Sequence, residues 1–194
     1  MQQIDLHLAS SSARRREILS ALGIRYSHAG VDVDESPRAG EQATAMAERL
    51  AAAKADAGRP GRDCPVLGAD TAVCVGARIL GKPESREDAL SMLAALSGRT
   101  HQVVTAVALR CDQGLLRARS ITSVTFREIV PDEALAYWQS GEPAGKAGGY
   151  AVQGLGGIFV AKLSGSYSGV VGLPVFETAT LLRQAGIDPL AIFD

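Results

Sequence analysis

Two runs rich in β-branched residues, Val103 to Leu109 and Leu115 to Ile129, are separated by the turn-forming stretch Asp112-Gln113-Gly114. Extended segments joined by so short a glycine-bearing turn fold back on each other, so the chain carries an antiparallel hairpin. Segments with helical patterns lie on both sides of it. Ser12 is placed to cap a helix over Ala13 to Leu22, whose Ile18, Leu19 and Leu22 share a face before Gly23 stops it. An alanine-rich helix is predicted over Ala43 to Ala57. Ser85-Arg86-Glu87-Asp88 matches a capping box opening a helix with Ala89, Met92, Leu93 and Leu96 on one face, ended by Gly98. Pro131 opens a short helix through Trp138, and a last helix runs from about Pro174 to Gln184.

Strands are predicted between these helices. Ile4, Leu6 and Leu8 alternate with Asp5 and His7 as in a half-buried strand, and Tyr26 to Val33 is a second. Val66 to Val75 is a third, with a short partner at Arg78 to Leu80, and Ile158 to Leu163 is the last. Helices interleaved with strands and a hairpin define an α/β fold with a mixed sheet. The 194 residues suffice for one sizeable core, or for two small lobes sharing that sheet, so residues 1–194 are expected to form one domain.

Lys and Arg number 20 against 21 Asp and Glu, so the chain has no global positive field to collect nucleic acid or an anionic membrane. An anion site must therefore be local. Cys64, Cys74 and Cys111 are odd in number and lack C-x-x-C spacing, which argues against a disulfide framework and a zinc knuckle and for a reducing cytoplasm. The first residues lack a basic region followed by a long apolar one, and no run reaches the length of a membrane span, so neither export nor anchoring is expected.

Five places suit chemistry. Ser10-Ser11-Ser12-Ala13-Arg14-Arg15-Arg16 joins the first strand to the first helix. Hydroxyls and guanidiniums at a helix N-terminus make a phosphate site, while the plainer alternative is a cap followed by a solvated basic turn. Asp70 interrupts an apolar strand in Leu67-Gly68-Ala69-Asp70-Thr71, and a carboxylate there is paired, metal-bound or catalytic. Gly68 before it would let another group approach the backbone closely. Lys54, Lys82 and Lys146 each sit beside small or turn residues, and only convergence would turn them from surface lysines into a polyphosphate cradle. Asp34 and Glu35 suit a divalent metal or simply a turn before Pro37. The glycine-dense stretch Gly145 to Gly157 suits a loop closing over a ligand, with Tyr150 and Gln153 offering a ring and an amide, or an ordinary connection. Phosphate-loop, dinucleotide and zinc-protease motifs are absent, and Gly165-Ser166-Tyr167-Ser168-Gly169 puts tyrosine where a nucleophilic serine belongs.

Taken in order, Leu8-Ala9-Ser10-Ser11-Ser12-Ala13-Arg14-Arg15, Leu67-Gly68-Ala69-Asp70-Thr71, Gly81-Lys82-Pro83, Leu96-Ser97-Gly98-Arg99-Thr100-His101 and Gly145-Lys146-Ala147-Gly148-Gly149-Tyr150-Ala151-Val152-Gln153-Gly154 resemble the motifs of the Maf family of nucleotide pyrophosphatases. Gly165-Ser166-Tyr167 and Val171-Gly172-Leu173-Pro174 continue the match, from about Leu6 to Leu182. The resemblance implies two lobes around a long twisted mixed sheet, like the inosine-triphosphate pyrophosphatases, with the active site in the central cleft. It implies hydrolysis of a nucleoside triphosphate to the monophosphate and pyrophosphate with a divalent cation, Mg²⁺, Mn²⁺ or Co²⁺. Asp70 then corresponds to the general base, Ser10, Arg14, Arg15, Lys54 and Lys82 to the phosphate-binding set, and Glu35 with Asp70 to the metal ligands. Arg14, Thr71 and Gln153 match the residues that mark the dTTP and UTP branch. The alternatives within and beyond that branch are a pyrophosphatase for 7-methyl-GTP or other modified nucleotides, and a nucleotide-sensing regulator of cell division. Ala13 stands where the family usually has proline, and the oligomeric state stays open between monomer and homodimer.

Overall fold

The computed structural model describes residues 4–59, 61 and 63–191. Of the span 1–194 expected as one domain, residues 1–3, 60, 62 and 192–194 lie outside the described residues. The chain runs β1 (Leu6–Ala9), α1 (Ala13–Ala21), β2 (Tyr26–Ala29), α2 (Ala43–Gly58), β3 (Val66–Val75), β4 (Arg78–Leu80) and α3 (Arg86–Leu96). There follow β5 (Thr100–Cys111), β6 (Gly114–Phe126), α4 (Pro131–Gln139), β7 (Val160–Ser164), α5 (Tyr167–Val171) and α6 (Val175–Gln184), with 3-10 turns at Ala147–Gly149 and Leu155–Phe159 before β7.

The seven strands form one mixed sheet in the order β2-β1-β3-β5-β6-β7, with β4 beside β3. β1 is parallel to β2 and β3, and the other pairings are antiparallel. The hairpin expected from the sequence is its backbone: β5 and β6 pair without a break from Thr100↔Thr125 to Cys111↔Gly114. β2 is half the length expected, because its pairing with β1 ends at Ala9↔Ala29 and among the described residues no other strand is there to extend it.

β1 also corrects the half-buried reading. All four of its residues are buried, His7 included, because it lies inside the sheet with both faces covered. His7 Nδ1 meets Ser27 Oγ at 2.8 Å, a partner that makes a buried imidazole tolerable.

One face of β3 and β5 is closed by α2. Ala43, Ala47, Ala51 and Ala55 pack on Ala72, Cys74, Val104, Ala106 and Ala108. Small residues on both surfaces let helix and sheet come very close. A Cβ at Gly68 would lie 2.2 Å from the Ala51 carbonyl oxygen and 2.5 Å from the Ala55 nitrogen, so only glycine permits this seat. The close approach anticipated at Gly68 is therefore made by α2 itself.

The opposite face carries two separate cores. Leu67, Ala69, Val107 and Leu109 pack with Leu6, Leu8, Leu19, Leu173, Leu181 and Leu182. Farther along the same strands Val73 and Val103 join Met92, Leu93, Leu96, Phe126, Tyr137 and Phe159. The alternation of the strands puts Thr71 and Thr105, paired across β3 and β5, between these cores. Two lobes thus share one sheet and part at a polar seam. At the same level the edge of β3 is open. β1 pairs with it only at Val66 and Leu67 and β4 only from Val73 to Val75, so among the described residues no strand covers Gly68 to Ala72 on that side.

Candidate active site

A cleft of about 540 Å³ opens at this gap. Ser10, Arg14, Arg15, Glu35, Lys54, Asp70, Thr71, Lys82 and Gln153, the residues to which the family resemblance gives site roles, line it, and Asp34 and Arg16 do not.

Its first wall is the turn from β1 into α1. Ser12 caps the helix, its hydroxyl accepting from the Arg15 N–H at 3.5 Å, and Ser10 Oγ accepts from the Ser12 N–H at 3.2 Å. Ala13 in place of proline leaves the helix start where the cap puts it. Three arginines in the first turn run against the helix dipole. Backbone carbonyls at the C-terminal end of α5 answer two of them: Arg14 Nε donates to Val171 O at 3.3 Å and Arg15 Nε to Gly172 O at 2.8 Å. The third, Arg16, turns away to His28 Nε2 at 3.2 Å, outside the cleft. Arg15 also donates to Ser10 Oγ (3.2 Å) and Thr71 Oγ1 (3.4 Å). Desolvation pulls its guanidinium below the usual range, the Asp70 carboxylate opposes the pull and Arg14 adds to it.

The direction of the hydrogen bonds behind Arg15 follows from the partners. Thr105 Oγ1 lies 2.7 Å from the Gly169 carbonyl, which can only accept, so its single proton goes there. The 3.0 Å contact between Thr71 Oγ1 and Thr105 Oγ1 then has Thr71 as donor. The Thr71 proton is spent, and its remaining capacity is as an acceptor for Arg15. Thr105 and α5 were not singled out from the sequence, where a threonine inside a β-branched run carries no mark of its role.

The second wall is an alternating chain of charges. Lys54 Nζ lies 2.6 Å from Asp70 Oδ1 and 2.6 Å from Glu35 Oε1, and Lys82 Nζ lies 3.1 Å from Glu35 Oε2. Asp70 is thus the paired carboxylate that an apolar strand demands, and Lys54, only 8% exposed, is a buried partner rather than a surface lysine. Partial burial works against the Glu35 charge, but Lys54 and Lys82 outweigh it and hold the carboxyl below its usual range. Asp34 takes the plainer role, accepting from the Ser36 N–H at 2.9 Å in a turn.

At the mouth Gln153 is exposed, and Lys146 lies near Arg14. Desolvation, then the neighbouring guanidinium, lowers the Lys146 ammonium. Tyr150, considered as a ring for a ligand, borders the cleft but is 6% exposed, stacked edge-on against Phe126, and its hydroxyl meets His101 Nε2 at 2.8 Å. It roots the glycine-rich segment in the second core.

No group of three or more His, Cys, Asp or Glu side chains able to hold a metal occurs among the described residues. Two carboxylates, Glu35 and Asp70, do converge on one ammonium, and so close a pair of acid oxygens fits a hard cation that takes its remaining ligands from water and phosphate. No helix among the described residues is long and apolar enough to cross a membrane.

Fold and site together define a mixed α/β chain with a cleft lined by basic and acidic side chains at a gap in its sheet. The Maf-like protein model matches residues 5–185, and the chain belongs to the Maf family. It is 52% identical over 184 residues to the dTTP/UTP pyrophosphatase of Saccharophagus degradans, covering 92% of this chain and 87% of that one. Identity is 48% to the dTTP/UTP pyrophosphatase of Methylococcus capsulatus, covering 96% and 93% of the two chains. It is 49% to that of Cupriavidus metallidurans, covering 94% and 97%. Among solved structures, a nucleoside-triphosphatase / dITP/XTP pyrophosphatase from Mycobacterium abscessus gives a partial likeness, with a TM-score of 0.42 and 18% identity over 64% of this chain and 74% of that one.

Proposed function

We propose that this chain is a nucleoside triphosphate pyrophosphatase that hydrolyses dTTP and UTP to the monophosphate and pyrophosphate, the whole chain acting as one unit in the cytoplasm. The observation that carries the reading is the convergence of two carboxylates and five basic side chains on one cleft, in a chain about half identical to relatives named for that activity.

In this reading Asp70 is the general base. Lys54 engages Oδ1, which leaves Oδ2 to take a proton from water attacking the α-phosphorus. The new bond joins the water oxygen to that phosphorus, the bond to the bridging oxygen breaks, and pyrophosphate departs with the electron pair. Ser10, Arg14, Arg15, Lys54 and Lys82 hold the phosphates and offset the charge gathering on the leaving group. Glu35 and Asp70 are the residues to hold a divalent cation, Mg²⁺, Mn²⁺ or Co²⁺, which when bound supplies charge neutralisation at the phosphates.

For the base, Gln153 offers a donor and an acceptor on one exposed amide, the pair needed to read a pyrimidine edge. Thr71 contributes differently. With its proton committed to Thr105, it acts by holding Arg15 in place.

The test is pyrophosphate release from dTTP, UTP, CTP, GTP and 7-methyl-GTP with each of the three metals. Multiple turnovers on dTTP and UTP, well ahead of the others, are expected. Binding without turnover, or equal rates across the panel, contradicts the proposal.

A further inference from the structure

The segment that carries Gln153 has little regular structure, only the 3-10 turns Ala147–Gly149 and Leu155–Phe159. One carboxylate gives it shape. Glu142 Oε1 accepts from Tyr137 Oη at 2.7 Å and from the Gly156 N–H at 2.9 Å, and Oε2 accepts from the Leu155 N–H at 2.9 Å. Tyr137 Oη in turn accepts from the Ala151 N–H at 3.2 Å. The backbone is therefore tied to this pair on both sides of Gln153, at Ala151 and at Leu155 and Gly156.

The fit is close. A Cβ at Gly154 would stand 2.1 Å from Glu142 Oε2 and 2.7 Å from its carboxyl carbon, so the chain next to Gln153 rests on the carboxylate. The anchor beneath is rigid: Tyr137, on α4, is 4% exposed and packs edge-on against Phe159 at 5.2 Å. The Glu142 main-chain carbonyl also receives the Lys146 ammonium, which ties the start of the segment to the same residue. Partial burial opposes the Glu142 charge, yet the bonds from Tyr137, Gly156 and Leu155 prevail and keep the carboxyl below its usual range.

We propose that Glu142, acting with Tyr137, is a positioning residue for base selection, fixing the backbone on both sides of Gln153 and so the place of its amide at the cleft mouth. The inference rests on the assignment of Gln153 as the base reader. Three donors aimed at one carboxylate cannot all be served by an amide, which turns an NH₂ towards at least one of them.

The experiment compares wild type with Glu142→Gln, Tyr137→Phe, Gln153→Ala and the double variant Glu142→Gln/Gln153→Ala. It measures kcat and KM on dTTP, UTP and CTP, affinities for dTMP and CMP by calorimetry, and melting temperatures. Tyr137→Phe keeps the ring packed and serves if the Glu142 variant folds poorly. Glu142→Gln and Tyr137→Phe are expected to reduce the preference for dTTP over CTP by about tenfold, through KM and dTMP affinity rather than kcat. The double variant is expected to discriminate no worse than Gln153→Ala alone. A lowered melting temperature with the dTTP to CTP ratio intact, or losses that add in the double variant, overturns the proposal. If Gln153→Ala itself leaves the ratio unchanged, the base-reader assignment falls and this inference with it. A ratio moved by Gln153→Ala but by neither Glu142→Gln nor Tyr137→Phe overturns the positioning role alone.

Discussion

The two ends of the cleft are built by different means. Asp70 and Lys54 stand on β3 and α2, held together by a helix seated so tightly on the sheet that Gly68 has no room for a side chain. Gln153 stands on a segment without strand or long helix, shaped by the bonds of one carboxylate and one tyrosine. Atoms that must meet a reacting phosphorus need rigid placement, whereas a base reader can be adjusted by changing a few bonds in a loop. Under the proposed function the rigid end holds the chemistry and the tied end the choice of substrate.

This contrast breaks first at Asp70. Asp70→Asn is expected to lower kcat on the order of a thousandfold while nucleotide affinity, measured by calorimetry, persists. Retained turnover would remove the chemistry from the rigid end. Gly68→Ala drives a methyl into the backbone of α2 and is expected to destabilise the protein by about 3 kcal/mol in urea unfolding. A neutral effect would mean that the helix seat is looser than the contacts imply. Thr71→Val removes the hydroxyl that accepts from Arg15 and is expected to lower kcat/KM about tenfold, with Thr71→Ser close to wild type. If Thr71→Ser is as damaged as Thr71→Val, the hydroxyl is not what matters there.

The last effect, spread over more than two pH units, concerns the root of the loop. Burial pushes His101 down to about 4 in the folded protein. Below the ordinary histidine value of about 6.5 the unfolded chain takes up a proton that the folded chain refuses, so stability declines as pH falls towards about 4. The slope reaches at most ~1.4 kcal/mol per pH unit, seen in the urea midpoint, and a His101→Gln variant should lose it. An unchanged slope in that variant would assign the acid sensitivity to other groups.

Much of this was legible in the sequence, for local reasons. β3 and the α3 cap are written in apolar runs and in Ser85, whose hydroxyl accepts from the Asp88 N–H at 3.1 Å. What the pattern leaves out is whatever arrives from a distance. Alternation in β1 says nothing of a second covered face, so the burial of His7 was misread. Arg14, Arg15 and Arg16 look equivalent in line, and only the rotation of the helix sends Arg16 to His28. Tyr150 gives no sign that His101 will take its hydroxyl, and Glu142 none that Leu155 and Gly156 will bind its carboxylate.

Water attack on the proposed α-phosphorus would leave its mark in the products of dTTP turnover in oxygen-18 water. Mass spectrometry of the products is predicted to find the label in dTMP and none in pyrophosphate. Label in pyrophosphate, or release of orthophosphate with dTDP, would contradict it.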